Sequence, residues 1–159
     1  MKILAMDVSG NFKEGMGTTG YAVMENGELD HVGQISANGF DSAESYWQEH
    51  VWLLSFEKPD HFVFEGYRLY NHRGQAASSQ ANSILETPQL IGALRLASYG
   101  LKIPFTIQYA SQVKTRWSDS VLQHLGVLDT SNRFKGYATN THKRDAIRHA
   151  LHYNKYGGK

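Results

Sequence analysis

Cysteine is absent from the 159 residues, so disulfides and thiolate-bound zinc are excluded and stability must come from packing. Long apolar runs are absent too: nothing approaches the ~18 residues of a membrane span. The N-terminal stretch MKILAMDVSG passes straight into an acid-bearing strand pattern without a signal-peptide cleavage region. A soluble, cytoplasmic protein with no membrane partner is the expectation, and the lack of cysteine suits a reducing compartment. No internal repeat, linker or low-complexity tract interrupts the chain, and its length fits one domain over residues 1–159. Acid is scarce in one part of it. Residues 66–159 hold 4 Asp/Glu against 13 Lys/Arg, whereas residues 1–65 hold 11 against 3, a division hidden by the formal net charge of +1. Where basic segments of this kind converge in space, a phosphate backbone is the natural partner, because neutralising it releases counterions.

Apolar material is plentiful, at 41% hydrophobic with 12% aromatic, ample for a single core. KILAMDV predicts a buried strand at residues 2–8 that ends on Asp7. SGNFKEGMGTTG, with four glycines in twelve residues, reads as a loop, and the next stretch as two strands joined through an Asn26-Gly27 turn. A three-stranded antiparallel meander follows from these. Ala43, Trp47, Val51 and Leu54 mark an amphipathic helix capped by Asp41 or Ser42 and ended before Pro59. HFVFEGY predicts a second strand ending in an acid, Glu65. Residues 68–83 read as a loop passing into a helix by about Gln80 that runs to Tyr99, with Pro88 kinking it or marking a fresh start capped by Thr87. IPFTIQY is a further buried strand, and SQVKTRWSDSVLQHLG a helix stopped by Gly126. A basic loop, residues 129–140, precedes a terminal helix. The order predicts an α/β architecture: a five-stranded mixed sheet, a meander plus two parallel strands, flanked by helices on both faces.

Asp7, Glu65 and Asp145 thus sit where strands end or the last helix begins, and His142 shares a helix face with Asp145 three residues on. Taken singly, each acid is explained as a turn former or a helix-start residue favoured by the dipole. Taken together, three hard oxygen ligands with an imidazole suit Mg²⁺, or Mn²⁺ in its place, better than a soft metal. Two such ions about 3.5–4 Å apart stabilise the attacking and leaving oxygens of a phosphoryl displacement, so phosphodiester hydrolysis is the chemistry the set supports.

Five segments in order, ILAMDVSG…TTGYAVME, FVFEGY, PQLIGALRLA, PFTIQYASQVKTRW and HKRDAIRHAL, resemble the RuvC family of Holliday-junction resolvases, in the ribonuclease H superfold. The resemblance covers nearly the whole chain. It implies that Asp7, Glu65, His142 and Asp145 form a catalytic metal site, His142 standing where relatives use His or Asp. It further implies a homodimer that makes paired symmetric nicks across a four-way junction, leaving 5′-phosphate and 3′-hydroxyl ends. The insertion NFKEGMG before Thr18, the shortened region after Lys114 and LETPQLIG are more similar to the small resolvases of bacteriophages. That likeness places the protein in a host cytoplasm and extends the implied substrates to other branched DNA.

For DNA contact the expected residues are Arg68 and Arg73 after Glu65, Lys114 and Arg116 on the next helix, Arg133 and Lys135 in the basic loop, and Lys143, Arg144 and Arg148 on the last helix. Lys114 matches the family's Gln-Val-Lys lysine. Tyr67 and Tyr70 fall where relatives present an aromatic ring to unstacked bases, with simple packing as the alternative. Glu86 is either a further acid of the site or a helix-start residue. His149 and His152 are read as solvated or phosphate-facing rather than as zinc ligands. DVSG…GTTG also looks like the phosphate loop of sugar kinases and actin-like ATPases, but 159 residues leave no space for the second domain those need, so no nucleotide cofactor is expected. A non-catalytic DNA-binding module of the same fold is the remaining alternative.

Overall fold

The computed structural model describes residues 1–13, 17–68 and 85–157. Tyr70, Arg73 and the helix start expected near Gln80 lie outside the described residues. A five-stranded sheet runs in the order β3-β2-β1-β4-β5, built from β1 (Lys2–Asp7), β2 (Thr18–Glu25), β3 (Glu28–Ser36), β4 (His61–Glu65) and β5 (Phe105–Gln108). The first three form the antiparallel meander, turning at Asn26 and Gly27, both with positive φ, as a two-residue hairpin requires. β4 and β5 add in parallel beside β1. The expected α/β sheet is present with this strand order, and β5, at its edge, is only half-buried.

The sheet's period of two sorts side chains between two cores. Leu4, Met6, Val23, Phe62 and Phe64 face α1 (Ala43–Glu57) and α2 (Glu86–Leu101). Ser42 caps α1, closing a capping box with Ser45. The buried line of α1 runs through Tyr46, His50, Leu53 and Leu54, with Trp47 and Val51 at its margin, because the polar groups of Tyr46 and His50 find partners inside. α2 begins at Glu86 with Leu85 in the cap position, not with Thr87 as cap. The Thr87 hydroxyl is engaged elsewhere, accepting from Gly10 N at 3.0 Å, while the Glu86 carboxylate accepts from Phe12 N at 2.8 Å. Glu86 is therefore a clasp on the loop after β1.

The opposite face, Ile3, Ala5, Ala22, Met24 and Val63, packs on α5 (Thr141–Tyr156), capped by Asn140. The single helix expected after β5 is instead two, α3 (Ala110–Val113) and α4 (Asp119–His124). The break arises because Ser118 accepts from Val121 N and starts a new helix, while Trp117 turns inward and donates Nε1–H to His152. The basic loop contains a short hairpin, β6 (Arg133–Phe134) and β7 (Tyr137–Ala138), around the positive-φ pair Lys135-Gly136. No helix among the described residues is long and apolar enough to cross a membrane.

Candidate active site

Asp7 extends the line of Ile3 and Ala5, and Glu65 that of Val63, so alternation alone turns both acids toward α5. Since β1 and β4 are parallel neighbours, their carboxylates emerge at the same sheet end. α5 is held against that end by small residues. At Gly20 on β2, a β-carbon would collide with the carbonyl of His142 and the amide nitrogen of Lys143. The first turns of α5 thus bring Asp145 over the strand ends. One ligand oxygen from each of Asp7, Glu65 and Asp145 lies within 4.8 Å of the others, a span that one or two hard divalent cations close. Burial raises the pKa of Asp7, the His142 hydrogen bond lowers it, and the charges of Glu65 and Asp145 raise it further, with a net upward shift. Such crowding of carboxylates is the environment a divalent cation relieves.

No family model and no curated protein matches the chain. Among solved structures, RuvC of Thermus thermophilus in complex with Holliday junction substrate matches with a TM-score of 0.66 and 17% identity, over 99% of this chain and 97% of its own. The chain has the ribonuclease H-like fold of RuvC. A second T. thermophilus RuvC structure matches at 0.66 with 16% identity, over 98% of this chain and 95% of that one. Fowlpox virus resolvase with its substrate Holliday junction DNA matches at 0.50 with 11% identity, over 98% and 97%.

On this RuvC fold each acid has a partner of its own. His142 Nδ1 lies 2.8 Å from Asp7 Oδ2, and that hydrogen bond, partly opposed by burial, raises the imidazole pKa. His142 therefore joins the site through Asp7. Lys114 Nζ lies 2.8 Å from Asp145 Oδ2. Burial acts to lower its pKa, but the Asp145 hydrogen bond and the charges of Asp145, Glu65 and Asp7 outweigh that and raise it. His149, which the sequence suggested was solvated or phosphate-facing, is instead fully buried, its Nε2 2.9 Å from Glu65 Oε2 and its Nδ1 2.9 Å from Gln108 Oε1. Gln108 and His149 are the site neighbours that sequence reasoning missed. The spacing of His142, Asp145 and His149, at i, i+3 and i+7 on one helix face, was the available signal.

The expected phosphate-facing cations divide. Arg148 turns inward, its guanidinium pairing with Asp145 and Asp119 and donating Nε–H to Trp117 O at 2.7 Å. Arg144 also turns inward, to Asp119 at 3.2 Å and Thr139 O at 2.8 Å. Both therefore brace α5 against α4 and the preceding loop, a correction to their expected outward placement. Arg68 stacks over the Tyr109 ring at 3.6 Å and, with the exposed Tyr67, lines a depression of about 310 Å³ that begins at Glu65. Across Ser111 a second depression is lined by Arg116, His152, Lys155 and Tyr156. Lys143 lies on the first turn of α5, Arg133 is exposed on the hairpin, and Lys135 donates to Asp30 O at 2.8 Å, tying that hairpin to β3.

Proposed function

We propose that the protein is a metal-dependent endonuclease of branched DNA that resolves four-way junctions as a homodimer, by paired symmetric nicks leaving 5′-phosphate and 3′-hydroxyl ends. The observation that carries this is the convergence of Asp7, Glu65 and Asp145, drawn from two strands and the last helix, to within 4.8 Å. It stands on a fold shared with two resolvases whose structures hold Holliday junction DNA. An all-oxygen donor set fits Mg²⁺, with Mn²⁺ able to substitute. When bound, such ions supply an activated water and stabilise charge on the scissile phosphate. The chain's own residues do the rest. Asp7, Glu65 and Asp145 would hold the metal, and His142 fixes the Asp7 carboxylate. Lys114, half-exposed and paired with Asp145, would meet a phosphate oxygen.

Charge distribution supports the DNA reading. Glu25 and Glu57 pair with Lys2 Nζ, and Asp60 accepts from its amide, all at the end of β1 remote from Asp7. Arg68 lines the depression that begins at Glu65, and Arg116 and Lys155 line a second beyond Ser111 that runs along the C-terminal part of α5, cationic surfaces that suit a phosphate backbone. Tyr67 is exposed beside Glu65, where a ring stacks an unpaired base at a branch point. For the homodimer, α1 carries Trp52 stacked on Phe56 with centroids 5.0 Å apart, both mostly exposed, and α2 leaves Leu96 and Tyr99 exposed. Large apolar groups in solvent favour burial against a second copy.

Labelled four-way, three-way, flap and linear DNA incubated in Mg²⁺ provide the test. Wild type is expected to place symmetric nicks in the four-way junction. Asp7→Asn and Asp145→Asn are expected to bind junctions and cut none; cleavage by either variant would sink the assignment.

A further inference from the structure

Of the polar groups packed around the three acids, the imidazole of His149 and the amide of Gln108 are the most deeply enclosed. His149 is fully buried and Gln108 is 4% exposed. Their neighbours on the same face, Val63, Ala146, Ile147 and Ala150, are apolar, so packing at this level asks for nothing polar. The pair also carries a cost: Gln108 Nε2 has no hydrogen-bond partner among the described residues, a penalty that two hydrophobic side chains of the same volume would avoid. A buried polar pair kept under those conditions needs a reason, and its geometry supplies one.

Gln108 stands directly across from Glu65 in the β4–β5 ladder. His149 reaches between them from α5, with both ring nitrogens 2.9 Å from an oxygen. The direction of the hydrogen bond to an ionised Glu65 follows without ambiguity. If the amide presents its oxygen to Nδ1, Nδ1–H donates to it and Nε2 carries a second proton. If the amide presents its nitrogen, that group donates to Nδ1 and the single ring proton resides on Nε2. In both arrangements Nε2–H donates to Glu65 Oε2. That oxygen is thereby held, and Oε1 has no partner among the described residues.

We infer that His149, braced by Gln108, is the positioning residue for Glu65, holding Oε2 by a hydrogen bond so that Oε1 is directed to the metal. The inference rests on the metal-site reading given above. The device is the second-sphere support by which metal-ligating side chains are oriented. Because His149 lies one turn beyond Asp145 on α5, it also links the β4 ligand to the helix that carries the third ligand. The two acids keep their separation through a hydrogen bond as well as through sheet packing.

The test is Mn²⁺ binding by isothermal titration calorimetry on the full chain without DNA, for wild type, His149→Leu, His149→Gln, Gln108→Leu and Asp145→Asn, with thermal melts alongside. His149→Leu is expected to weaken Mn²⁺ binding by roughly tenfold or more, in a protein that still folds but melts lower because the Gln108 amide loses its partner. His149→Gln, which keeps a donor of similar reach, is expected to recover most of the loss, and Gln108→Leu to fall between. A folded His149→Leu protein that binds Mn²⁺ within about twofold of wild type overturns the inference; should that variant not fold, Gln108→Leu decides by the same threshold. Loss of Mn²⁺ binding in Asp145→Asn with none in His149→Leu overturns the positioning role and leaves the site reading intact. Absence of Mn²⁺ binding in wild type overturns both.

Discussion

At His50, two hydrogen bonds set the protonation state. Nδ1 lies 2.9 Å from the Tyr46 carbonyl one turn earlier, an acceptor only, so Nδ1 carries the proton. Nε2, 2.8 Å from Thr19 Oγ1, then accepts from that hydroxyl. The ring is fully enclosed, and burial lowers its pKa to about 4, the backbone hydrogen bond opposing only in part. Between about pH 6.5 and 4 the unfolded chain takes up a proton that the native protein refuses, so stability falls as pH falls through that window. The loss attributable to this one residue reaches about 3 kcal/mol at the acid end. An NMR titration of the His50 ring should show a midpoint near 4; one near the ordinary histidine value would contradict the neutral, doubly bonded ring. His149 and Arg148 show why some side chains escape a reading of the sequence. Charge and polarity assign such residues to the surface, whereas their partners, Gln108 and Asp119, come from β5 and α4. The adjacency of those elements to α5 is a property of the folded chain.

At the scale of elements, α5 is the part on which the site depends. One helix carries His142, Asp145 and His149 on a stripe facing the sheet, with Ala146 and Ala150 alongside to allow close approach. Gly20 is the matching feature on β2, and a methyl group there has no space against the backbone of His142 and Lys143. Gly20→Ala should therefore lift the first turn of α5, costing about 1–3 kcal/mol. A melting curve measures the cost, and a larger relative loss of cleavage than of stability would follow from the displacement of His142 and Asp145. An unchanged melting temperature would mean that the helix shifts freely. The long elements were legible because their periodicity is: β1 to β4, α1 and α5 each announce a face, a cap or a turn. The break between α3 and α4 was not, since Ser118 lies inside a stretch that keeps an unbroken helical pattern. Strands of two residues, such as β6 and β7, are too short to show any period.

For the whole molecule, the division between an acidic and a basic half becomes spatial only in part, since Lys135 of the second half is tied to Asp30 of the first. The acids around Lys2 collect at one end of β1, and Asp7 leaves the other end near Lys114, while Arg116 and Lys155 line the depression along the C-terminal part of α5. Junction affinity should then drop steeply with salt, by a slope near 0.9 in log K per log salt for each phosphate neutralised. Arg116→Ala and Lys155→Ala should each lower the slope by about 1 while weakening all sequences alike; a flat salt response would refute the basic face as the binding surface. The acids of the site were legible because Asp7 and Glu65 end strands, positions that local pattern reveals, and Asp145 shares a face with His142 near the start of the last helix. Their convergence needed the parallel pairing of β1 with β4.

Asp145 meets Lys114 through one oxygen and Arg148 through the other, and this has a consequence for the order of assembly. Three carboxylates brought together without counter-charge would push the end of the sheet apart and make folding wait for a cation. Here the chain brings its own neutralising groups, so the domain can complete its structure first and be loaded afterwards. On the proposed metal-site reading, purified protein of identical fold would then differ in metal content, and turnover per molecule would track the supply of metal rather than the fraction folded.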